Sequence, residues 1–175
     1  MFDEKGLIQI YTGNGKGKTT AALGLVLRAS GHGAKIAVVQ FMKGWDGYGE
    51  LVSLPRVPNV THVHTGRTKC IFRGDEIQED FDEAARGFAL AAEFLASGQY
   101  DLVVLDEINV AVDFGLIKAG DVIKALAEKA PRTEAVLTGR NAPDEFIKAA
   151  DFVTEMKEIK HPYQNGVAAR KGVEF

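Results

Sequence analysis

Apolar and polar residues follow two alternating patterns along the chain. Six short runs rich in Val, Ile and Leu have the length and composition of β-strands. They cover residues 7–12, 35–41, 60–65, 101–106, 134–139 and 151–156. The runs IAVVQF and LVVL are almost continuously apolar, which is typical of strands that are covered on both faces. The pattern therefore predicts a mainly parallel sheet of about six strands.

Segments with helical periodicity separate most of these runs. The predicted helices cover residues 18–29, 77–98, 118–129 and 144–149. In the second helix, apolar residues recur at spacings of three and four, so we expect them to form one buried face. They are Phe81, Ala85, Phe88, Ala92 and Leu95. Strands that alternate with helices predict a single α/β domain over residues 1–175.

Two segments show neither the strand pattern nor the helix pattern. Residues 43–59 and 66–76 are rich in glycine, proline and charge, so they are predicted to be loops. Both follow the end of a predicted strand. In a parallel sheet this is the edge where ligands bind.

The composition narrows the class of protein. Hydrophobic residues make up 46% of the 175 and charged residues 26%, a balance typical of a folded domain. The net charge of −3 argues against a dedicated nucleic-acid binder, and the single cysteine, Cys70, favours a reducing compartment. Residues 1–10 lack the pattern of a signal peptide, and no apolar run approaches the roughly 20 residues of a membrane span. We therefore expect a cytoplasmic protein that contacts neither nucleic acid nor membrane.

The stretch YTGNGKGKTTAALG joins the first predicted strand to the first helix. Glycines let several backbone N–H groups converge on an anion, and the helix N-terminus adds its positive end. Compared with G-x-x-x-x-G-K-[ST], the first glycine comes one residue late, at Gly13. The alternative is a plain glycine turn, but the GKTT ending favours a nucleotide site. The predicted ATP-binding residues here are Gly13, Asn14, Gly15, Lys16, Gly17, Lys18, Thr19 and Thr20.

Other charged residues complete the predicted site. Asp106 and Glu107 end an apolar strand, where nucleotide-binding folds hold Mg²⁺ together with a hydroxyl such as that of Thr19. Side chains alternate along a strand, so only one of the two acids is expected to face the metal. Arg140 ends another strand and is a candidate phosphate ligand or a surface arginine. Arg28 lies ten residues after Lys18, roughly 15 Å along a helix, so its spacing alone indicates a surface residue.

Other candidate signals do not predict a further site. His62 and His64 share a strand face, but a metal site would need a third ligand. Cys70 has no partner that would activate its thiol. The sequence combines phosphate-binding elements with no evident general base, which favours a reaction whose nucleophile comes from elsewhere.

The sequence resembles the ATP:corrinoid adenosyltransferase family, also called cob(I)alamin adenosyltransferases. The resemblance covers residues 11–44, 101–108, 137–141 and 153–175, in the family's order. The last block, VTEM followed by KHPYQNGVAARKGVEF, resembles the family's C-terminal signature. The shifted glycine also matches the family's form of the loop, GNGKGKTT.

This resemblance implies a three-layer, RecA-like P-loop fold and transfer of the 5′-deoxyadenosyl group of ATP to the Co(I) of a reduced corrinoid. Co(I) is then the nucleophile, and triphosphate is the leaving group. The resemblance also implies Mg²⁺, a homodimer and an external electron donor such as a flavoprotein. By position it assigns Thr19 and Glu107 to the metal, and Arg28 and Arg140 to ATP.

The sequence departs from the family in the loop that faces the corrinoid. The family often has the aromatic stretch TGFTW, where this chain has TGRTK at residues 65–69. The candidate corrinoid contacts are therefore Trp45, Arg67, Lys69 and Phe72. Two alternative functions remain: a P-loop enzyme that hydrolyses nucleotide or acts as a kinase, and a corrinoid-binding module in which nucleotide is only regulatory.

Overall fold

Six parallel strands form one sheet in the order β3-β2-β4-β5-β1-β6. The computed structural model describes residues 5–175, apart from the side chain of Tyr163. The first four residues, part of the segment considered for a signal peptide, lie outside the described residues. The strands are β1 Ile8–Thr12, β2 Ile36–Gln40, β3 Val60–His64, β4 Leu102–Asp106, β5 Glu134–Thr138 and β6 Phe152–Glu155.

Helices connect the strands and cover the sheet. They are α1 Lys18–Gly31, α2 Gly49–Ser53, α3 Gln78–Ala96, α4 Ile108–Asp113, α5 Ala119–Ala127 and α6 Asp144–Ala149, with 3₁₀ helices at Leu54–Arg56 and Pro162–Asn165. Among the described residues, no helix is long and apolar enough to cross a membrane.

Two hydrophobic cores lie on opposite faces of the sheet. One packs α1 against alternate strand residues such as Val38, Val104 and Val136. The other packs α3 to α6 against residues of the opposite alternation, such as Val39 and Leu105. β2 and β4 are buried along their whole length, as their continuous apolar runs predict. The α/β fold class is therefore confirmed, and each predicted strand is present within one residue at either end.

The face of α3 that packs on the sheet differs from the predicted one. The buried residues are Asp80, Ala84, Gly87, Ala91 and Leu95. The prediction is correct for Leu95, and Phe88 and Ala92 are partly buried against the core, but it is wrong for Phe81, which is 39% exposed, and for Ala85. A Cβ atom at Gly87 would lie 2.9 Å from the Thr65 side chain. Near Gly87 the helix therefore approaches Thr65 too closely for a larger residue, and small residues take the middle of the inner face.

The predicted loop at residues 43–59 contains α2 and a 3₁₀ helix, so that prediction is wrong in part. Both elements are too short for an apolar period to be visible in the sequence. α4 was also missed because it begins directly after Glu107, with no intervening loop. These short elements line the C-terminal edge of the sheet.

Candidate active site

The phosphate loop lies between β1 and α1, against the segment that follows β6. The Gly15 N–H donates to the Met156 carbonyl at 2.6 Å. A Cβ atom at Gly13 or Gly15 would lie 2.6 Å from that same oxygen, and Gly13 and Gly17 have φ angles of 93° and 117°. Glycine is thus required both by close approach and by backbone conformation. The Gly15 N–H bonds to protein and so does not point at an anion.

The Lys18 side chain folds back onto the phosphate loop and bonds to it. It is 8% exposed, and its ammonium donates to the carbonyls of Gly13 at 2.7 Å and Gly15 at 2.8 Å. Burial lowers the pKa of Lys18, Glu107 opposes this effect, and Arg140 adds to it. A partly desolvated ammonium at a helix N-terminus is a strong electrostatic partner for a phosphate.

A cavity of about 280 Å³ lies over this loop. It brings together the predicted residues from Asn14 to Thr20 with Glu107 and Arg140, which come from other strand ends. His161, Val173 and Glu174 from the C-terminal segment line the same cavity. Cationic side chains and a helix N-terminus converge there, so the cavity suits a polyphosphate.

Arg28 lies elsewhere. It is an exposed residue near the end of α1. Burial and the charge of Glu134 raise the pKa of the Tyr11 hydroxyl, and the charge of Arg28 lowers it. The structure does not bring Arg28 into the phosphate cavity. Its assignment to ATP stays a prediction.

The two acids at the end of β4 have different surroundings. Asp106 is fully buried, and its carboxylate accepts hydrogen bonds from Thr138 at 2.6 Å and Gln40 at 2.9 Å and pairs with Lys43 at 2.8 Å. Burial works against ionisation, but Lys43 and these donors hold the pKa of Asp106 below its ordinary value. The Asp106 carboxylate is therefore an anion already surrounded by protein donors.

Glu107, unlike Asp106, lines the cavity over the phosphate loop. Its φ of 64° is left-handed, and it forms the N-cap of α4, with its N–H donating to Thr138 at 3.0 Å. Its side chain lines the phosphate cavity together with Thr19. Burial and the charge of Asp106 raise the pKa of Glu107. A carboxylate and a hydroxyl on one cavity wall are oxygen donors that fit Mg²⁺, whose remaining ligands are usually phosphate and water.

A group of polar residues beside Asp106 was missed by the sequence reasoning. Lys43 also contacts Glu50 at 3.3 Å, and the Gln40 side-chain oxygen accepts a hydrogen bond from His62 Nε2 at 2.9 Å. Burial lowers the pKa of His62 to about 4, with His64 adding to the effect, so its ring is neutral at pH 7. The available signal was a polar residue, Gln40, at the end of an otherwise apolar strand.

A second cavity, of about 470 Å³, lies beside the first and is more apolar in character. It brings the predicted residues Trp45, Arg67 and Lys69 together. Trp45 packs edge-on against Tyr48 at 5.3 Å and Phe175 at 5.1 Å between ring centroids. We call this space the aromatic cavity. Its remaining lining residues are Met42, Thr68, Cys70, Ala169 and Glu174.

Phe72 does not line the aromatic cavity, and its side chain is 70% exposed. Tyr48 and Phe175 supply the aromatic surface together with Trp45. Phe175 is far from Trp45 in sequence, so no local pattern connects the two.

The C-terminal residues lie between the two cavities. Lys16 of the phosphate loop donates to the Val173 carbonyl at 2.9 Å and lies 3.8 Å from Glu174. Glu174 lines both the phosphate cavity and the aromatic cavity. The chain end therefore forms a common wall of the two spaces.

A family model and the sequences of known proteins indicate the same family for this chain. A family model described as ATP:corrinoid adenosyltransferase BtuR/CobO/CobP matches residues 4–175. The corrinoid adenosyltransferase of Pseudomonas aeruginosa is 39% identical over 99% of this chain and 85% of its own length. That of Escherichia coli K12 is 37% identical over 99% of this chain and 87% of its own.

A solved structure, the RadB recombinase, has a similar fold. It matches with a TM-score of 0.54 over 91% of this chain and 78% of its own, at 15% identity. At that identity the match speaks for the fold alone. It agrees with the predicted RecA-like architecture.

Proposed function

Because the chain belongs to the ATP:corrinoid adenosyltransferase family, we propose that it transfers the 5′-deoxyadenosyl group of ATP to the Co(I) of a reduced corrinoid and releases triphosphate. Its membership makes it a transferase. The observation that carries the finer proposal is that Glu174 lines both the phosphate cavity and the aromatic cavity, so that the two spaces are neighbours.

The phosphate cavity is proposed to hold the triphosphate of ATP. Lys18 and Arg140 contribute positive charge, and the N-terminus of α1 contributes N–H groups. These groups neutralise charge that develops on the leaving triphosphate, which stabilises the transition state rather than the bound substrate. Lys18 and Arg140 are the proposed catalytic residues.

The reaction balances without a protein base. The electron pair of Co(I) forms a bond to C5′, the C5′–O bond breaks, and its electrons leave with triphosphate, so that cobalt becomes Co(III). No proton is transferred in this step. The chain's tasks are therefore to orient two substrates and to keep water away from Co(I).

Mg²⁺ is the expected cofactor, and Thr19 and Glu107 are the residues that would hold it. When bound, it would neutralise phosphate charge. Asp106 is the weaker candidate because Lys43, Gln40 and Thr138 already surround its carboxylate.

The aromatic cavity is proposed to receive the corrinoid. Trp45 and Phe175 offer flat apolar surfaces, whereas Arg67 and Lys69 offer charge to polar side groups of the ligand. We further propose a cytoplasmic homodimer that receives electrons from a flavoprotein.

Incubation with ATP, Mg²⁺ and a chemically reduced corrinoid, with mass spectrometry of the corrinoid, tests this function. We expect an adenosylated corrinoid, and none from a reaction without ATP. A wild-type protein that binds both substrates but yields no adenosylated corrinoid would support the binding-module alternative. ADP formed at the same rate with and without corrinoid would support the ATPase alternative.

A further inference from the structure

Lys43 lies at the centre of a group of oxygen atoms beside the phosphate loop. Its ammonium is 2.8 Å from Asp106 Oδ2, 3.3 Å from Glu50 Oε1 and 3.5 Å from Thr19 Oγ1. We call Asp106, Glu50 and Thr19 the oxygen cluster. Two carboxylates and a hydroxyl around one point are ligands that a hard divalent cation takes. The Lys43 ammonium thus occupies a position that suits a metal ion.

This position opens towards the substrates. Lys43 is only 8% exposed, yet it lines a cavity of about 510 Å³ together with Thr19 and Glu107. Its ammonium lies between the carboxylates of Asp106 and Glu50, so the side chain places a positive charge at this position.

The oxygen cluster is assembled from three elements. Thr19 lies in the first turn of α1, Glu50 in α2, and Asp106 at the end of β4. Gln40 supports the cluster by donating to Asp106 at 2.9 Å, and His62 bonds to Gln40 in turn. Without Lys43, the buried carboxylate of Asp106 and the partly buried carboxylate of Glu50 would face this space with no cation between them, an arrangement that attracts a metal.

We propose that Lys43 is a positioning residue that acts as a built-in cation, keeping a second divalent metal ion out of the space between Asp106 and Glu50, so that Thr19 serves only the metal on the Glu107 side of the cavity. This rests on the proposed function in one respect, namely that ATP binds with a single metal ion. The alternative is an ion pair that only stabilises the fold. The two differ in the number of metal ions that a Lys43 variant binds.

The test counts Mn²⁺ ions bound per chain, from the electron paramagnetic resonance of free Mn²⁺, with ATP present and corrinoid absent. Lys43→Ala removes the charge and leaves space, so we expect one more bound Mn²⁺ than in the wild type. Lys43→Met also removes the charge but fills the space with an apolar side chain. We expect its count to equal that of the wild type.

The double variant Lys43→Ala/Asp106→Asn removes one carboxylate of the oxygen cluster. We expect it to lose the extra Mn²⁺ and to return to the wild-type count. Equal counts for Lys43→Ala and wild type would overturn the proposal, as would an extra ion that survives Asp106→Asn.

Glu107→Gln in the wild-type background gives a second test if Lys43→Ala does not fold. With Lys43 in place no metal lies between Asp106 and Glu50, so the one bound Mn²⁺ depends on Glu107, and this variant is expected to bind Mn²⁺ about tenfold or more weakly. Mn²⁺ binding at wild-type affinity would show that the metal does not lie on the Glu107 side and would overturn the proposal. Since no corrinoid is used, a wild type that fails to adenosylate corrinoid would contradict the proposed function without affecting the Mn²⁺ count.

Discussion

At the residue scale, Lys18 has the most direct role in the proposed chemistry. In the structure its ammonium bonds to two carbonyls of its own loop, at 2.7 and 2.8 Å. A phosphate oxygen in the cavity would compete with those carbonyls for the Lys18 ammonium, and its negative charge makes the stronger hydrogen bond.

We therefore expect Lys18→Ala to reduce kcat by about 10²–10³-fold, the usual effect of losing one preorganised charge partner. Steady-state kinetics with saturating corrinoid measure this. Lys124→Ala is the matched control, since its side chain is 74% exposed on α5. Wild-type kcat in the Lys18 variant would contradict the assignment of the loop.

The neighbours Asp106 and Glu107 are predicted to behave differently. Glu107→Gln should raise the Mg²⁺ concentration for half-maximal activity about tenfold or more, since losing even an outer-shell partner of a metal has that effect. Asp106→Asn should change this concentration less, but it breaks a buried ion pair with Lys43. That loss should lower the free energy of unfolding by about 3–5 kcal/mol. Mg²⁺ titrations and denaturant unfolding of both variants measure the difference, and the reverse order in the titration would contradict the choice of Glu107.

Much of the site was predictable at this scale, because the loop residues follow one another in sequence. Lys43 was not, since its role comes from Asp106, Glu50 and Thr19, which the fold brings together from three separate elements. The alternation of side chains along a strand left the choice between Asp106 and Glu107 open, and only the family resemblance favoured Glu107; the physical basis of the choice is not visible in the sequence. It depends on the left-handed turn at Glu107 and on donors from two other strands.

At the scale of elements, the contact between the phosphate loop and the segment after β6 is the least expected feature. The carbonyl of Met156 accepts from Gly15, and the Met156 N–H donates to Thr12 at 2.8 Å. These two hydrogen bonds fix the conformation of the phosphate loop through Met156, which does not line the cavity. This contact also gives a physical reason for the glycine at position 15, which the loop pattern alone does not require.

Gly15→Ala is predicted to weaken ATP binding and to destabilise the fold, because its Cβ would lie 2.6 Å from the Met156 carbonyl oxygen. Gly24→Ala is the matched control in α1, where nothing lies within 4 Å of the added atom. There we expect a gain of about 0.5–1 kcal/mol, since alanine suits a helix interior better than glycine. Calorimetric ATP binding and denaturant unfolding measure both, and a Gly15→Ala variant with wild-type ATP affinity would contradict the contact.

His62 in β3 is predicted to make the stability of the folded chain depend on pH. Its pKa is lowered to about 4 in the folded chain, against about 6.5 when unfolded. Between these values the unfolded chain binds a proton that the folded chain does not, so stability falls as pH falls from about 6.5 to about 4. Denaturant unfolding of His62→Gln should show a shallower loss over this range, and equal slopes for variant and wild type would contradict the burial of a neutral ring.

Strands were easier to predict than helix faces, and the reason is physical. β2 and β4 are buried on both sides, so their apolar runs identify them without any knowledge of their neighbours. The packed face of α3 depends on how closely the helix approaches Thr65 and Phe41, which only the folded structure shows.

At the scale of the whole molecule, the C-terminal residues connect the two cavities. Lys16 bonds to Val173, 157 positions later in the chain, and Phe175 packs against Trp45. The sequence indicated that this tail resembles the family's signature, but not that it forms part of both cavity walls. A contact over such a separation has no local pattern that could predict it.

This arrangement supports one account of the molecule, in which the sheet edge holds triphosphate and the tail lines both this site and the neighbouring cavity for the corrinoid, so that cobalt can reach C5′. That account makes triphosphate, rather than a single phosphate, the leaving group. The identity of the leaving group is also the point on which the adenosyltransferase and the ATPase alternative differ most.

Phosphorus NMR of the products tests this central claim most directly. The wild-type chain is incubated without oxygen with Mg²⁺, ATP and reduced corrinoid, and the phosphate products are compared with the adenosylated corrinoid formed. The account predicts intact tripolyphosphate in a one-to-one ratio with adenosylated corrinoid. ADP and orthophosphate as the primary products, formed without regard to corrinoid, would contradict it.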